Sequence, residues 1–230
     1  MRDSEGRSFF PQTSDVLVFN IQAAQFRESG AFTNLVLVKR KNDPFKGDWA
    51  IPGGFMNEGE SIPECAAREL EEETGIKPKI LIPIGTFSDP KRDPRGCTIS
   101  SAFAVVIPTG VGKKLEFKAG DDAAECALFN LKGKIDEPSN SVECFLRCVE
   151  NGERIAFKVK FTIGPFGVPK AEIEYDMERG NRKLAFDHAE ILARAILRMP
   201  ALVSESAVNA SPVAHAVSAE KEVAQVNLNP

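Results

Sequence analysis

The sequence lacks any long apolar run, and its N-terminus is polar and mixed in charge, so neither a membrane span nor a secretory leader is expected. It also lacks an excess of positive charge: 29 Lys and Arg stand against 33 Asp and Glu, a formal net charge of −4. Broad electrostatic attraction to nucleic acid is therefore not expected. Five cysteines, Cys65, Cys97, Cys126, Cys144 and Cys148, are scattered without a C-x2-C pair, which argues against a zinc site. An odd number of thiols without a leader fits reduced cysteines in the cytoplasm. Cys144 and Cys148 are read as small apolar residues able to share a helix face. What is present is ordinary for a globular protein: 230 residues, 43% of them hydrophobic, enough for one large domain or a domain with an insertion.

The most informative stretch runs from Gly54 to Ile76 and reads G-x5-E-x7-R-E-L-x-E-E-x-G-I. Ser61 can cap a helix, with Glu64 three residues later at capping-box spacing and Pro63 tolerated in the first turn. Gly75 is a natural left-handed stop, and Pro78 follows. A helix is therefore expected over Ile62 to Thr74. Ile62, Ala66 and Leu70 form its buried stripe, while Glu69, Glu72 and Glu73 share the other face. Three carboxylates so close raise one another's pKa, an unfavourable arrangement unless cations neutralise them. Hard oxygen ligands on one face suit Mg²⁺ or Mn²⁺. Arg68 can pair with Glu64 or Glu72 and orient the cluster, and Gly53 and Gly54 allow a backbone carbonyl to come close to the metal. An acidic helix face is more often simply solvated; the fixed spacing of glycines, Glu60, Arg68 and three acids argues for the metal reading here.

Along the chain, Asp15 to Gln22 and Asn34 to Arg40 read as paired strands, followed by a loop at Lys41 to Gly47. Lys79 to Phe87, Thr98 to Ile107 and Ala124 to Leu131 are further strand candidates. Leu184 to Met199 has helical periodicity, with Asp187 and Glu190 in its first turns. Strands on both sides of a helix, with a second helix at the end, give an α/β sandwich with a mixed sheet between helices. The interval of about 132–182 departs from this compact plan. Within it Glu143 to Val149 reads as helical, whereas Arg154 to Ile163 alternates as a half-buried strand that Ala171 to Tyr175 can join as a hairpin, forming a lid or a dimer surface. The basic side of that hairpin, Arg154, Lys158 and Lys160, is read first as solvated. Residues 201–230 show no clear periodicity and are expected to be a flexible tail.

The Gly54 to Ile76 pattern resembles the signature of the Nudix hydrolases at every position. The resemblance covers about Asp15 to Leu131 and resumes at Leu184 to Met199, and it implies a Nudix-type α/β/α sandwich over 1–199 with an added β-rich segment. It implies Glu69, Glu72 and Glu73 as metal ligands with the Gly53 carbonyl, Glu60 and Arg68 as supporting scaffold, and Mg²⁺ or Mn²⁺ as cofactor. The general base varies within the family: Glu72 or Glu73, or a later acid. The segment Gly120 to Cys126 resembles one found downstream in many relatives, which offers Glu125 as that acid; Asp121 and Asp122 can equally form only a turn.

FSDPKRDPRG (87–96), with Pro90 about fifteen positions past Gly75, resembles the loop of bacterial and archaeal ADP-ribose pyrophosphatases. KRKNDPFKGDWAIPGGF (39–55) and LAFDHAEIL (184–192) extend the match. The implied reaction is hydrolysis of ADP-ribose to AMP and ribose 5-phosphate, with other nucleoside diphosphate sugars, NADH or dinucleoside polyphosphates open within the same chemistry. Arg92 and Arg95 can clamp phosphate or ribose, or pair with Asp89 and Asp93. Lys39 and Arg40 can reach a phosphate. Phe9, Phe10 and Trp49 can stack on adenine or belong to the core. The resemblance implies a small-molecule nucleotide partner and a homodimer, while the cytoplasmic location is the expectation from the thiols. An alternative is a transcriptional regulator that senses ADP-ribose, which would require Lys132 to Met199 to form a winged helix.

Overall fold

A computed structural model of the chain describes residues 10–22, 33–109, 115–120, 123–199 and 202. The expected turn at Asp121 and Asp122, Phe9, and the tail of 201–230 apart from Leu202 lie outside these residues.

The strands are β1 (Gln12–Gln22), β2 (Thr33–Arg40), β3 (Trp49–Ala50), β4 (Gly53–Phe55), β5 (Ile82–Phe87), β6 (Ile99–Thr109), β7 (Ala123–Asp136), β8 (Ser141–Cys148), β9 (Arg154–Ile163) and β10 (Pro169–Tyr175), with helices α1 (Ile62–Thr74) and α2 (His188–Leu197). They build one sheet in the order β10-β9-β8-β7-β2-β1-β6-β5, with β3 added to β2 and β4 to β1. β1 and β6 run parallel; the other pairs are antiparallel. Strand side chains alternate between faces, and here both faces are covered. Val16, Val18, Val36, Phe103 and Val105 meet Ala66 and Leu70 of α1 on one side. Leu17, Phe19, Leu35, Leu37 and Phe129 meet Ile191, Leu192 and Ile196 of α2 on the other. The expected α/β/α sandwich with a mixed sheet is therefore present.

α1 has the expected bounds, for the expected reasons. The Glu64 carboxylate accepts from the Ser61 amide at 2.7 Å and from its hydroxyl at 2.6 Å. Gly75 ends the helix at φ 72°, its amide donating to the Glu71 carbonyl at 2.8 Å. α2 is shorter than its apolar pattern predicted. Leu184 and Ala185 lie outside the helix: Leu184 bridges Trp49, and the Ala185 amide donates to the Trp49 carbonyl at 2.8 Å. Both are buried against the sheet without being helical, and Asp187 becomes the N-cap.

The segment 143–149 is the clearest difference from expectation. It is not helical; Ser141–Cys148 is a strand, with Val142, Cys144, Leu146 and Cys148 buried at every second position. The spacing of Cys144 and Cys148 suits one face of a strand as well as a helix. β9 and β10 form the expected hairpin, but as a continuation of the sheet. Val142, Leu146, Ile155, Phe157 and Val159 join the same core as α2, so the added segment is part of the sandwich wall. Among the described residues no helix is long and apolar enough to cross a membrane.

Leu146→Ala should lower unfolding free energy by about 2–5 kcal/mol, because it opens a cavity at a fully buried site. A denaturant titration should show the loss as one cooperative transition for the whole chain. A separate transition for the added strands would contradict their place in the common core.

Candidate active site

β4 lies against β1, with Gly53 opposite Asp15 and Gly54 opposite Ser14. A Cβ on Gly53 would collide with the Ser14 carbonyl oxygen, and one on Gly54 would sit 2.5 Å from the Glu69 carboxyl group. Position 53 therefore requires glycine, and the lack of a Cβ at Gly54 leaves room for the Glu69 carboxylate directly on backbone. The Gly53 amide donates to Glu73 Oε2 at 2.9 Å.

Arg68 organises the acids around it. Its Nε and Nη2 donate to the two oxygens of Glu60 at 3.0 and 2.7 Å. Its Nη1 donates to Glu69 at 2.8 Å and to Glu72 at 2.9 Å, and Nη2 also reaches the Phe55 carbonyl at 2.9 Å. The hydrogen bonds from Arg68, then from the Asn57 amide, hold the Glu60 carboxyl down at about 2. Burial pushes Glu69 upward despite its bond from Arg68. Burial pushes Glu73 up to about 8, reinforced by the charges of Glu69 and Asp15 and opposed by the Gly53 amide. Two desolvated carboxylates with raised pKa beside a polar cavity mark a place short of positive charge.

That donor chemistry fits a hard divalent cation: oxygen ligands, partly buried, against a backbone from which Cβ is excluded. Among the described residues no group of three His, Cys, Asp or Glu side chains is already arranged around a metal position. Arg68 instead bridges Glu69 and Glu72 as their shared cation.

A cavity of about 340 Å³ opens over Glu69 and Glu73, and Gly53, Arg40, Arg92 and Arg95 also border it. No residue of the added segment 132–182 lines it, so that segment is not a lid over this cavity. Arg40 donates to the Pro44 carbonyl at 2.7 Å and stacks over Phe186 at 4.7 Å. Arg95 is tied to Asp93 at 2.8 Å and lies over Phe55 at 4.9 Å. Arg92 is buried, and its fork is taken by Asp187 through two bonds of 2.8 Å. Those donors fix the 88–96 loop to the start of α2, so the expected clamp on substrate is engaged within the protein.

Trp49, expected to stack on substrate or to join the core, is a core residue. It is fully buried, packs edge-on to Phe129 at 4.9 Å, and donates from Nε1 to Glu153 at 2.6 Å. Its ring instead carries Lys39 Nζ at 4.8 Å. Lys39 also borders the cavity and pairs with Glu125 at 3.0 Å and Glu153 at 3.4 Å. Glu125 therefore faces Lys39 across the β2-β7 pair and is not among the cavity-lining residues.

Sequence reasoning missed a buried polar group behind the carboxylates. His188 Nδ1 accepts from the Ile51 amide at 2.9 Å, and its Nε2 lies 3.4 Å from Asp15 Oδ1. Asp15 accepts from the Ser100 hydroxyl at 2.5 Å and lies 3.6 Å from Arg92. Burial pushes Asp15 upward, but His188, Ser100 and Arg92 outweigh it and hold the carboxyl low. The available signals were a polar residue heading the apolar run DVLVF and a histidine within the apolar stripe of LAFDHAEIL.

A family profile described as the NUDIX domain matches residues 16–142, more than half of the chain. An ADP-ribose pyrophosphatase of Methanocaldococcus jannaschii is 48% identical over 97 residues, covering 42% of this chain and 54% of that protein. The ADPR responsive transcriptional repressor NtrR of Acinetobacter baylyi is 32% identical over 97 residues, covering 41% of this chain and 36% of the repressor. The chain thus spans about half the length of the first relative and about a third of the second. A MutT/nudix family protein from Enterococcus faecalis superposes with a TM-score of 0.61 at 26% identity, covering 84% of this chain and 62% of that one. The NUDIX domain of Shewanella oneidensis NrtR, solved with ADP ribose, shares the fold with a TM-score of 0.53 at 18% identity, covering 86% and 94%.

Burial of Glu73 has a consequence for the metal-free protein. Its folded pKa of about 8 lies above the ordinary glutamate value of 4.5. The folded chain therefore keeps a proton that the unfolded chain gives up, and stability falls as pH rises between those values. Glu73→Gln removes this dependence. In chelator, the variant and the wild type should unfold alike near pH 4, and the variant should be more stable by about 2–4 kcal/mol near pH 8.5. A stability difference that stays flat across this range would contradict the assignment.

Proposed function

The chain belongs to the NUDIX family, and from that premise we propose that it is a pyrophosphohydrolase of nucleoside diphosphate-linked substrates that cleaves ADP-ribose to AMP and ribose 5-phosphate. The observation that carries this reading is the meeting of Glu69 and Glu73, both desolvated, with the Arg68 cluster and the Gly53–Gly54 backbone at one polar cavity. The matched pyrophosphatase of M. jannaschii supports the substrate.

In this proposal Glu69, Glu72, Glu73 and the Gly53 carbonyl hold Mg²⁺ or Mn²⁺. Such a cation neutralises diphosphate charge and makes water a better nucleophile. Arg68, fixed by Glu60, keeps Glu69 and Glu72 aimed together. Arg40 and Arg95 bring positive charge to the cavity rim and attract the diphosphate. Glu72 or Glu73 takes the proton of the attacking water. Glu125 acts from outside the cavity, through Lys39, which both Glu125 and Glu153 hold in place. Arg92 positions the loop that carries Arg95. A cytoplasmic homodimer completes the reading.

A sensor of ADP-ribose is the second reading, favoured by the similarity to NtrR. The winged helix it called for at Lys132 to Met199 is not what this segment forms. Residues 141–175 complete the sheet and α2 packs on it.

Purified protein incubated with Mg²⁺ and a panel of ADP-ribose, NADH, other nucleoside diphosphate sugars and dinucleoside polyphosphates should release AMP and ribose 5-phosphate from ADP-ribose. ADP-ribose should be preferred by roughly tenfold or more in kcat/KM. Preference for another panel member would move the substrate but keep the chemistry, and turnover of none would favour the sensor. Glu72→Gln should lower kcat by at least about a hundredfold with the fold retained, since it removes a carboxylate from an exposed helix face. Near-wild-type turnover would contradict its role.

A further inference from the structure

β4 meets β1 through the Val16 amide on the Pro52 carbonyl at 2.8 Å and the Met56 amide on the Gln12 carbonyl at 3.0 Å. In an antiparallel pair every second residue makes such bonds, and the residues between turn both N–H and C=O the other way. Gly53 is one of those between. Its N–H points away from β1 and donates to Glu73 at 2.9 Å, so its C=O turns to that same side. The direction of this carbonyl depends on the course of Ile51–Pro52–Gly53.

That short run is held at both ends. Pro52 is fixed by Val16 of β1, and the Ile51 amide donates to His188 Nδ1 at 2.9 Å. A nitrogen that accepts carries no proton, so His188 is the tautomer protonated at Nε2. Nε2 faces Asp15 Oδ1 at 3.4 Å. Asp15 is the residue opposite Gly53 in the β1–β4 register. Its Oδ1 would lie 2.9 Å from a Cβ built on Gly53, so this carboxylate rests against the glycine. Asp15 is itself pinned by the Ser100 hydroxyl and by Arg92, and Arg92 is taken by Asp187, the residue before His188. The ring of contacts from Ile51 through His188, Asp15 and Arg92 thus closes at the cap of α2.

A buried histidine with both nitrogens satisfied is ordinarily a packing element. Two features set this one apart. It borders the cavity together with Asp15 and Arg92. Its acceptor nitrogen also holds backbone two residues before Gly53. We infer that His188 is a positioning residue for the cation: through Ile51 it fixes the backbone that aims the Gly53 carbonyl, while Asp15 fixes the imidazole. This rests on the reading of that carbonyl as a ligand, and it gives a residue of α2 a part in the site. Groups that orient metal ligands from behind are worth roughly ten- to a hundredfold in affinity.

The two ring nitrogens can be tested apart. Asparagine places an acceptor oxygen where Nδ1 stands and lacks the Nε2 donor, whereas glutamine brings an amide nitrogen near Nε2 and has no acceptor at Nδ1. Both substitutions remove ring packing, so each should lower the thermal unfolding temperature in chelator. Calorimetric titration with Mn²⁺ should separate them: His188→Gln should weaken binding by roughly tenfold, and His188→Asn should stay within about threefold of wild type. Equal weakening in both, or wild-type affinity in His188→Gln, would overturn the inference and leave His188 a packing residue. A wild type that binds no Mn²⁺ would overturn the cation reading itself, and this inference with it. If a variant does not fold, wild type still decides. Nitrogen NMR should show the His188 ring protonated at Nε2 and bare at Nδ1, and the Ile51 amide resonance should shift when Mg²⁺ is added. A proton on Nδ1, or an Ile51 amide indifferent to Mg²⁺, would contradict the assignment.

Discussion

The Arg68 guanidinium donates to the carboxylates of Glu60, Glu69 and Glu72 and to the Phe55 carbonyl, and the rest of the site depends on that shared cation. Carboxylates at i, i+3 and i+4 on one helix face repel each other. They are held together because one planar cation, itself fixed by the strongly acidic Glu60, reaches several of them. The same group joins α1 to β4, so helix face and glycine backbone are positioned by one side chain. Glu73 receives no Arg68 hydrogen bond among the described residues; the Gly53 amide and the charge of Arg40 oppose its burial, and burial still raises it up to about 8.

The sheet explains how so much polar chemistry is tolerated. Both faces of β1 and β2 are buried, and the site sits where β1, β4 and α1 converge. Buried Asp15, His188 and Arg92, with half-buried Asp187, satisfy one another behind the carboxylates, and among the described residues no buried side-chain polar atom lacks a partner. The strands β8, β9 and β10 widen the wall on the far side, and Glu153, just before β9, holds Trp49 and Lys39 together.

What could be read from the sequence was local. The bounds of α1, its cap, its stop and its acidic face follow from residues a few positions apart. The strand pattern of β9 was legible because polar and apolar residues alternate along it. The segment Ser141–Cys148 was misread because its buried positions, two apart, also contain a pair four apart that suits a helix. The length of α2 was overestimated because Leu184 and Ala185 are apolar through contact with Trp49, 135 or more residues away in sequence. Trp49 itself gave no local sign that Glu153 would take its indole N–H. The Asp15–His188 contact and the Phe55–Arg95–Phe186 stack also join distant segments, and only tertiary structure brings them together.

The central claim is that the α1 carboxylates form a cation site. The most direct measurement is titration of Mn²⁺ followed by the electron paramagnetic resonance signal of the free ion, on wild type and on Glu69→Gln. The account predicts saturable binding by wild type and an affinity loss of roughly tenfold or more in the variant, since removing a carboxylate takes away both a ligand and its charge. Equal Mn²⁺ binding by the two proteins would contradict it.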